Sequence, residues 1–523
     1  MNQKEPSKQR LIIVSNRLPI VLDKDADDNW QIKPGSGGLV TALAPVLKNR
    51  GGLWIGWPGS SIDEEDIDLE ELLKDATKDY GYRFKTVAVT EDEEDKYYYG
   101  FSNQILWPLF HDFQTRCHFS PDYWEIYQRV NQNFAKVIAQ NIGDADDHIW
   151  VHDYQLIGVG HALREIGISS KIGFFMHIPF PQLDIFLKLP WRFEILNQML
   201  SYDLIGFQTQ RDKRNFVQCV HAMFKDVKIR GRGRVLTTTV NDRSVRIGDF
   251  PISIDFEEFA QKAKSKKVEK RLAEIKEIYK TRHLVLGVDR LDYTKGIPDR
   301  LRAFRNALER FPDLHTKISL VQIVVPSRVN IPEYNDLKQE IEQLVSEINR
   351  EFTQPGWIPI HYAFYSIDRT ELIAFYRAAD IAFITPLKDG MNLIAKEYCA
   401  ANIYKDGVLI LSEFAGTAGQ FNKHALLVNP YDIEMTADKL YQACQMKVAE
   451  RKKRMQALRR IIKKTDIYWW VDSFLSAVFA HNLEDFSELT DYIPTSEIND
   501  HRKLPGKSGA KSSSGGHKTL PLS

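Results

Sequence analysis

Cysteine is scarce: Cys117, Cys219, Cys399 and Cys444 are the only four in 523 residues, and no two form a C-x-x-C pair. That spacing excludes a disulfide framework and a zinc-knuckle pattern, and it points to a reducing compartment. Long apolar runs are also missing. The run Leu11-Ile12-Ile13-Val14 is far shorter than a signal-peptide core. Nothing approaches the ~18–20 uninterrupted apolar residues of a membrane span. Neither sign of charge is in excess, with 70 Lys+Arg against 70 Asp+Glu. A general nucleic-acid binder carries a basic excess, so that class is set aside. A cytoplasmic protein without nucleic-acid or membrane partners is expected.

Several short motifs are absent as well. Gly35-Ser-Gly37-Gly38, Gly158-Val-Gly160 and Gly231-Arg-Gly233 all lack the last glycine of a dinucleotide fingerprint. Gly506-Lys507-Ser508 ends like a phosphate loop, but His501 stands where its first glycine belongs. There is no H-E-x-x-H, and Asp25-Ala-Asp27 and Asp144-Ala-Asp146 read as acidic turns. No metal and no cofactor is implied.

What is present is a large globular chain. Hydrophobic residues make up 43% and charged residues 27%, enough for a sizeable core and roughly two to four domains. Short apolar runs alternate with helical segments almost throughout. In the first half the runs include Leu11–Ser15, Gly52–Gly56, Tyr82–Val89, His148–His152, Lys171–Ile178 and Asp203–Gln208. In the second they include His283–Arg290, Ile318–Val325, Ile358–Phe364, Asp380–Thr385, Val408–Ser412 and Ala425–Asn429. Runs that are apolar rather than alternating are how parallel strands read when helices cover both faces. The fold class is therefore α/β, with two doubly wound, Rossmann-like units separated near residues 240–280. Val235–Ile247 reads as a hairpin turning at Asn241-Asp242. Ile254–Thr281 reads as a charged bridging helix, and Leu458–Phe479 as a late helix. The low-complexity tail beyond Asp485 reads as disordered.

Three groups of residues carry chemistry. In Leu286-Gly-Val-Asp-Arg290-Leu-Asp-Tyr-Thr-Lys295-Gly296 a strand ends at Arg290 and a helix starts near Ile297-Pro298. Open α/β sheets bind ligands beyond their strands' carboxyl ends. Arg290 and Lys295 therefore stand where a diphosphate would rest, beside a helix N-terminus that favours anions. In Pro386-Leu-Lys-Asp389-Gly390-Met391-Asn392-Leu393-Ile-Ala-Lys396-Glu397 another strand end turns into a helix. Gly390 permits close backbone approach. Asp389 could accept from sugar hydroxyls, and Glu397 could hold a ribose diol. The first half supplies Ser15-Asn16-Arg17, Gly35–Leu39, Val151-His152-Asp153-Tyr154 and Phe175-Met-His177, all near strand or helix ends. Read singly, these could be solvated turns, caps or core histidines. Together they form a cleft.

The segments VSNRLP, GSGGL, GLWIGWPG, YYYGFSNQILWPLFH, WVHDYQL, GFFMHIPFP, DLIGFQT, VDRLDYTKGIPDRL, TPLKDGMNLIAKEY, LSEFAGTA and LLVNPYD resemble, in order, the trehalose-6-phosphate synthase family of retaining glycosyltransferases. The resemblance implies the two-domain GT-B arrangement: an acceptor domain at 9–250, a nucleotide-sugar domain at 251–465, a helix at 466–484 packing back on the first domain, and a tail at 485–523. It implies that Arg290 and Lys295 bind the diphosphate of a nucleoside-diphosphate glucose, usually UDP-glucose. Glu397 would hold the ribose. Asp389, Gly390, Met391, Asn392 and Leu393 would line diphosphate and glucose, His177 would touch the glucose, and Gly38 would lie against the phosphates. Arg17, Tyr98 and Arg328 would hold the phosphate of glucose 6-phosphate, with Trp107 and Asp153 on its sugar. Arg290, Lys295, His177 and Asp389 would be the catalytic set, working by front-face attack without a covalent nucleophile.

Two departures from the family pattern stand near the cleft motifs: Ser253 where glycine is common, and Gln182-Leu183-Asp184 after HIPFP. They leave glycerol 3-phosphate open as an alternative acceptor. A non-catalytic sugar-phosphate-binding subunit is the other alternative, although Arg290, Lys295 and Glu397 are all retained. The donor base and a homo-oligomeric state also stay open. With no phosphatase-like domain in the sequence, the expected product is the phosphorylated disaccharide.

Overall fold

The computed structural model describes residues 10–24, 30–35, 38–59, 69–143, 147–279, 283–328, 331–480, 483, 486–489 and 491–494. Asp25-Ala-Asp27, Asp144-Ala-Asp146, Ser36-Gly37 and nearly all of the tail lie outside these residues.

Two parallel-dominated sheets organise the chain. The first has nine strands in the spatial order Arg83–Thr86, Leu53–Trp57, Leu11–Arg17, His148–His152, Ile172–Phe175, Leu204–Phe207, Arg243–Asp249, Val235–Val240, Lys228–Arg230. Val235–Val240 pairs antiparallel with Arg243–Asp249, through the turn at Asn241-Asp242, and on its other side with Lys228–Arg230. The second sheet has six parallel strands, in the order Ile360–Phe364, Ile318–Val325, His283–Arg290, Ile381–Ile384, Val408–Ser412, Leu426–Val428.

The apolar runs are buried on both faces, as their lack of alternation predicts. Along Leu11–Arg17, Ile12 and Val14 enter one hydrophobic cluster while Leu11 and Ile13 enter another. Along His283–Arg290, Val285 faces one cluster and Leu284, Leu286 and Val288 the other. Each such side chain contributes ~1.5–3 kcal/mol relative to exposure.

Two expected helices divide. The segment 254–281 holds the helices Phe256–Lys262 and Lys266–Ile278, because Ser265 caps the second by accepting from the Val268 N–H. The late helix divides into Val448–Lys464 and Ile467–Phe479, where Asp466 caps by accepting from the Trp469 N–H at 3.0 Å. Capping side chains of this kind start a new helix in a new direction. Residues 94–106 hold a feature with no sequence signal: a π-helix that ends with the Trp107 N–H bonded to the Ser102 carbonyl. Wide turns of this sort concentrate at functional sites.

Helix Ile467–Phe479 packs on the first sheet. Trp470 is fully buried and its indole donates to the Phe250 carbonyl at 3.1 Å. Its ring lies 4.9 Å from Trp150, and Phe474 stacks on Trp150 at 4.3 Å. Arg246, on the sheet, donates to the carbonyls of Ala477 (2.6 Å), Val478 (2.9 Å) and Ala480 (2.7 Å), which the end of the helix would otherwise leave unpaired. Replacing Arg246 with Met is expected to loosen this helix by about 1.5–3 kcal/mol, the range for bonds to a charged group. Tryptophan fluorescence during urea unfolding should show an earlier transition. An unchanged midpoint would remove the anchoring role.

Candidate functional site

The parallel part of each sheet has one point where strand order reverses, and these two reversals supply the site. In the second sheet His283–Arg290 and Ile381–Ile384 are neighbours whose connections leave toward opposite sides. Their outgoing loops carry Arg290–Lys295 and Asp389–Asn392. In the first sheet the reversal lies between Leu11–Arg17 and His148–His152, and their ends carry Arg17 and Asp153. Ligands of open α/β sheets collect at such switch points.

On the second-sheet side the loops are tied together. The Leu387 N–H donates to the Thr294 carbonyl at 2.8 Å. Lys295 Nζ donates to Asp389 Oδ2 at 2.8 Å, and Asn392 Nδ2 donates to the same oxygen at 3.1 Å. Burial alone would raise the Asp389 pKa, but Lys295 and these bonds hold it below the usual carboxylate range. Asn392 sits at φ 74° and caps helix Leu393–Ala401 by accepting from the Ala395 N–H. A Cβ on Gly390 would lie 2.3 Å from the His177 carbonyl oxygen, so only glycine permits this approach between the two units. Met391 is buried in the cluster that also holds Trp150 and Trp470, which leaves its backbone rather than its side chain for a ligand. Leu393 bridges two clusters. Glu397 accepts from Tyr376 Oη at 2.8 Å, and burial raises its pKa despite that bond. Arg290 is the exception to all this pairing. It is exposed to the cleft, lies 5.8 Å from the Trp107 ring, and makes no hydrogen bond or ion pair with a described residue.

On the first-sheet side Arg17 lies flat over Trp57 at 3.7 Å, with the Tyr98 ring at 5.5 Å. Gly59, at φ +99°, makes room for it: a Cβ there would stand 2.0 Å from the Arg17 guanidinium. Arg328 reaches across from the second unit. Its Nη1 donates to Tyr334 Oη at 2.7 Å and its Nη2 to Tyr154 Oη at 3.2 Å, and its guanidinium covers Trp107 at 4.1 Å. Trp107 is buried with its indole N–H unpartnered, a donor that a ligand hydroxyl could satisfy. Gly38 opens helix Gly38–Arg50. Arg17, Tyr98, Trp107, Asp153 and Arg328 thus gather on one side, and Arg290, Lys295, Asp389 and Glu397 on the other.

Three of the nine described non-glycine residues at positive φ lie here. Asp153 (φ 75°), Arg328 (φ 49°) and Asn392 (φ 74°) all adopt positive φ without being glycine. Such residues persist only where the surroundings over-determine them. Buried proton-binding groups share the region. Burial pushes Asp153 up to about 7, against the Tyr154 and His177 N–H groups and the charges of Arg290 and Arg328. Burial drives His177 down to about 3 and His111 to about 4, so both rings are neutral at physiological pH. His177 Nε2 meets His152 Nδ1 at 3.1 Å. A ring so placed positions its surroundings and does not exchange protons near pH 7.

Sequence reading passed over several participants. Asp292 is buried two residues beyond Arg290, accepts from Thr294 and pairs with Arg328 at 3.5 Å. Burial would raise its pKa, but Arg328, Lys295 and Arg290 outweigh that and hold it low. Its signal was present, a carboxylate between two cations in one loop. Tyr376 and Gln208 had no local signal, because only the fold brings them to Glu397 and His177. Of the two departures, Gln182-Leu183-Asp184 lines an outward cavity of about 780 Å³ with Arg214, His221 and Ile229, and shares it with none of the site residues named above. Ser253 is fully buried with its hydroxyl unpartnered.

The model of glycosyltransferase family 20 matches residues 9–479. The chain belongs to that family. A relative, the trehalose-6-phosphate synthase of Mycolicibacterium smegmatis, is 41% identical over 474 residues, spanning 90% of this chain and 92% of the relative. Among solved structures, a UDP-forming α,α-trehalose-phosphate synthase from Burkholderia xenovorans in complex with glucose-6-phosphate superposes with TM-score 0.81 at 35% identity, covering 90% of this chain and all of the other. An E. coli trehalose-6-phosphate protein bound with UDP-2-fluoro glucose gives TM-score 0.80 at 36% identity, over 90% and 99% of the two chains. The two units facing one cleft are the GT-B arrangement of these family-20 structures. None of the described helices is long and apolar enough to cross a membrane.

The raised Asp153 pKa has a measurable consequence. A carboxyl whose folded pKa lies above its ordinary value of 3.8 stabilises the fold at low pH and loses that contribution as pH rises toward about 7. Asp153→Asn cannot ionise. Its melting temperature minus that of the parent protein is expected to grow between about pH 4 and pH 7 and then level off. A difference independent of pH would show that Asp153 is not held in an ionisation-hostile site.

Proposed function

We propose that this protein is a retaining glucosyltransferase that moves glucose from UDP-glucose to glucose 6-phosphate, giving trehalose 6-phosphate and UDP. One observation carries the reading. Two sites rich in cations face each other across one cleft, and one of them contains an arginine, Arg290, with no hydrogen bond or ion pair to a described residue. Arg290 and Lys295 take the donor diphosphate, Glu397 the ribose, and the 389–393 loop, through backbone groups and Asp389, the glucose. Gly38 closes on the phosphates from the first unit, and His177 supports the glucose from that side. Arg17, Tyr98 and Arg328 take the acceptor phosphate; Trp107 and Asp153 take its sugar.

The bond from the glucose anomeric carbon to the β-phosphate oxygen breaks, and the acceptor hydroxyl oxygen bonds to that carbon on the same face. The hydroxyl proton passes to the departing phosphate oxygen. Charge therefore grows on the diphosphate. Arg290 meets it directly, and Lys295, with three donors, meets it while keeping Asp389. Among the described residues, the carboxylates around the cleft are already engaged: Asp389 with Lys295 and Asn392, Asp292 with Thr294 and Arg328, Glu397 with Tyr376. Asp153 accepts from the His177 N–H at 3.1 Å. This commitment fits a front-face route better than the covalent relay of retaining glycosidases. Holding both phosphates adds an orientation term. Four free cysteines and two phosphorylated substrates fit a reducing, cytoplasmic setting.

The test is nucleotide release from UDP-, GDP- and ADP-glucose, each offered with glucose 6-phosphate, glycerol 3-phosphate or water. Release from UDP-glucose that requires glucose 6-phosphate, with a phosphorylated non-reducing disaccharide as product, is expected. Release that requires glycerol 3-phosphate would replace the acceptor. No release from any pair would leave a binding subunit.

A further inference from the structure

Where the chain passes from the first unit to the second, one residue is gripped from both sides. The Ile252 N–H donates to Gln208 Oε1 at 3.0 Å, and the Ile252 carbonyl accepts from Lys396 Nζ at 2.7 Å. Gln208 directly follows the first-sheet strand Leu204–Phe207. Lys396 lies in helix Leu393–Ala401 of the second unit, one residue before Glu397. Gln208, Ile252 and Lys396 are 2%, 3% and 1% exposed, so water replaces none of these bonds.

The grip extends into the cleft. Gln208 Oε1 faces an N–H, so its Nε2 is the donor toward His177 Nδ1, a long contact of 3.5 Å. With Nδ1 accepting, His177 Nε2–H donates to His152 Nδ1 at 3.1 Å. One polar chain thus runs His152–His177–Gln208–Ile252–Lys396, from the first-unit wall to the helix that carries Glu397. Among the described residues Lys396 meets the Ile252 carbonyl and no carboxylate, and burial pushes its pKa down to about 7. A buried cation held by one carbonyl is a poor choice for stability alone, where a well-packed apolar side chain serves better.

We propose that Gln208 and Lys396 are positioning residues that clamp the Ile252 peptide groups, setting the His177 wall and the Glu397 helix at the separation a bound nucleotide-glucose requires. Neither touches substrate. The proposal rests on the donor site assigned above.

Initial rates with UDP-glucose and glucose 6-phosphate would be measured for Lys396→Met, Gln208→Met, their double variant and Gln208→Glu, with melting temperatures alongside. Misplacement of one wall of the site is expected to lower kcat/KM for the donor about ten- to a hundredfold in each Met variant. KM for glucose 6-phosphate should change less than the donor kcat/KM, since Arg17, Tyr98, Trp107 and Arg328 lie outside the chain of bonds and Asp153 meets it only through the His177 backbone N–H. Because both side chains act on one residue, the double variant should be little worse than the poorer single one. Gln208→Glu keeps the acceptor for Ile252 but loses the donor to His177, so it should fall between parent and Gln208→Met, and it remains informative if a Met variant fails to fold. Donor kcat/KM unchanged beside a lowered melting temperature would overturn the proposal, as would losses that add fully in the double variant. An inactive parent protein would instead refute the glucosyltransferase reading, which keeps the two failures apart.

Discussion

Charge matching around Arg290 governs the cleft. Lys295 is paired with Asp389, and Arg328 with Asp292 and two tyrosine hydroxyls, while Arg290 ends its strand facing solvent with no described partner. A cation left in this state attracts a polyanion without first giving up an internal contact. The paired cations around it supply field without the mobility of free side chains. A site preorganised in this way has little reorganisation left to do when charge develops on a leaving group.

Holding that arrangement requires local structure that is unfavourable by itself. Asp153, Arg328 and Asn392 sit at positive φ, and His152 and His111 are held as neutral rings by burial, with His177 half-buried beside them. Each is supported by something larger: a switch point in a sheet, the cap of helix Leu393–Ala401, or the π-helix that leads into Trp107. Several supports cross between the units, among them Arg328 to Tyr154, Lys388 to Asp112 at 2.6 Å, and Phe113 against Tyr293. The site in this geometry is therefore assembled from both units.

Much of this was legible in the sequence, for a physical reason. Parallel strands covered on both faces read as apolar runs, so His148–His152, His283–Arg290, Ile318–Val325 and Val408–Ser412 stand out and coincide with strands. Their ends point to the cleft because topology puts ligands there, which is why Arg290, Lys295, Asp389 and Asp153 could be singled out in advance. Helix boundaries were less legible. Ser265 and Asp466 cap new helices inside stretches whose apolar spacing runs on without a break. The π-helix at 94–106 was invisible because its composition matches that of an ordinary helix. Gln208 and Tyr376 act through contacts made across tens of residues, which a local motif does not encode, whereas Asp292 was visible as a carboxylate between two cations and only its pairing with Arg328 was not. The Gln182-Leu183-Asp184 departure read as a change in the cleft, yet it lines a separate outward cavity.

Arg290, free of hydrogen bonds and ion pairs with the described residues, is left to meet the leaving diphosphate. Turnover of Arg290→Ala, measured beside UDP binding and the melting temperature, tests that claim most directly. An intact fold and a kcat lower by about 10²–10³-fold are expected, the loss seen when a preorganised charge-stabilising donor is removed. A folded variant that binds UDP and turns over at nearly the parental rate would contradict it.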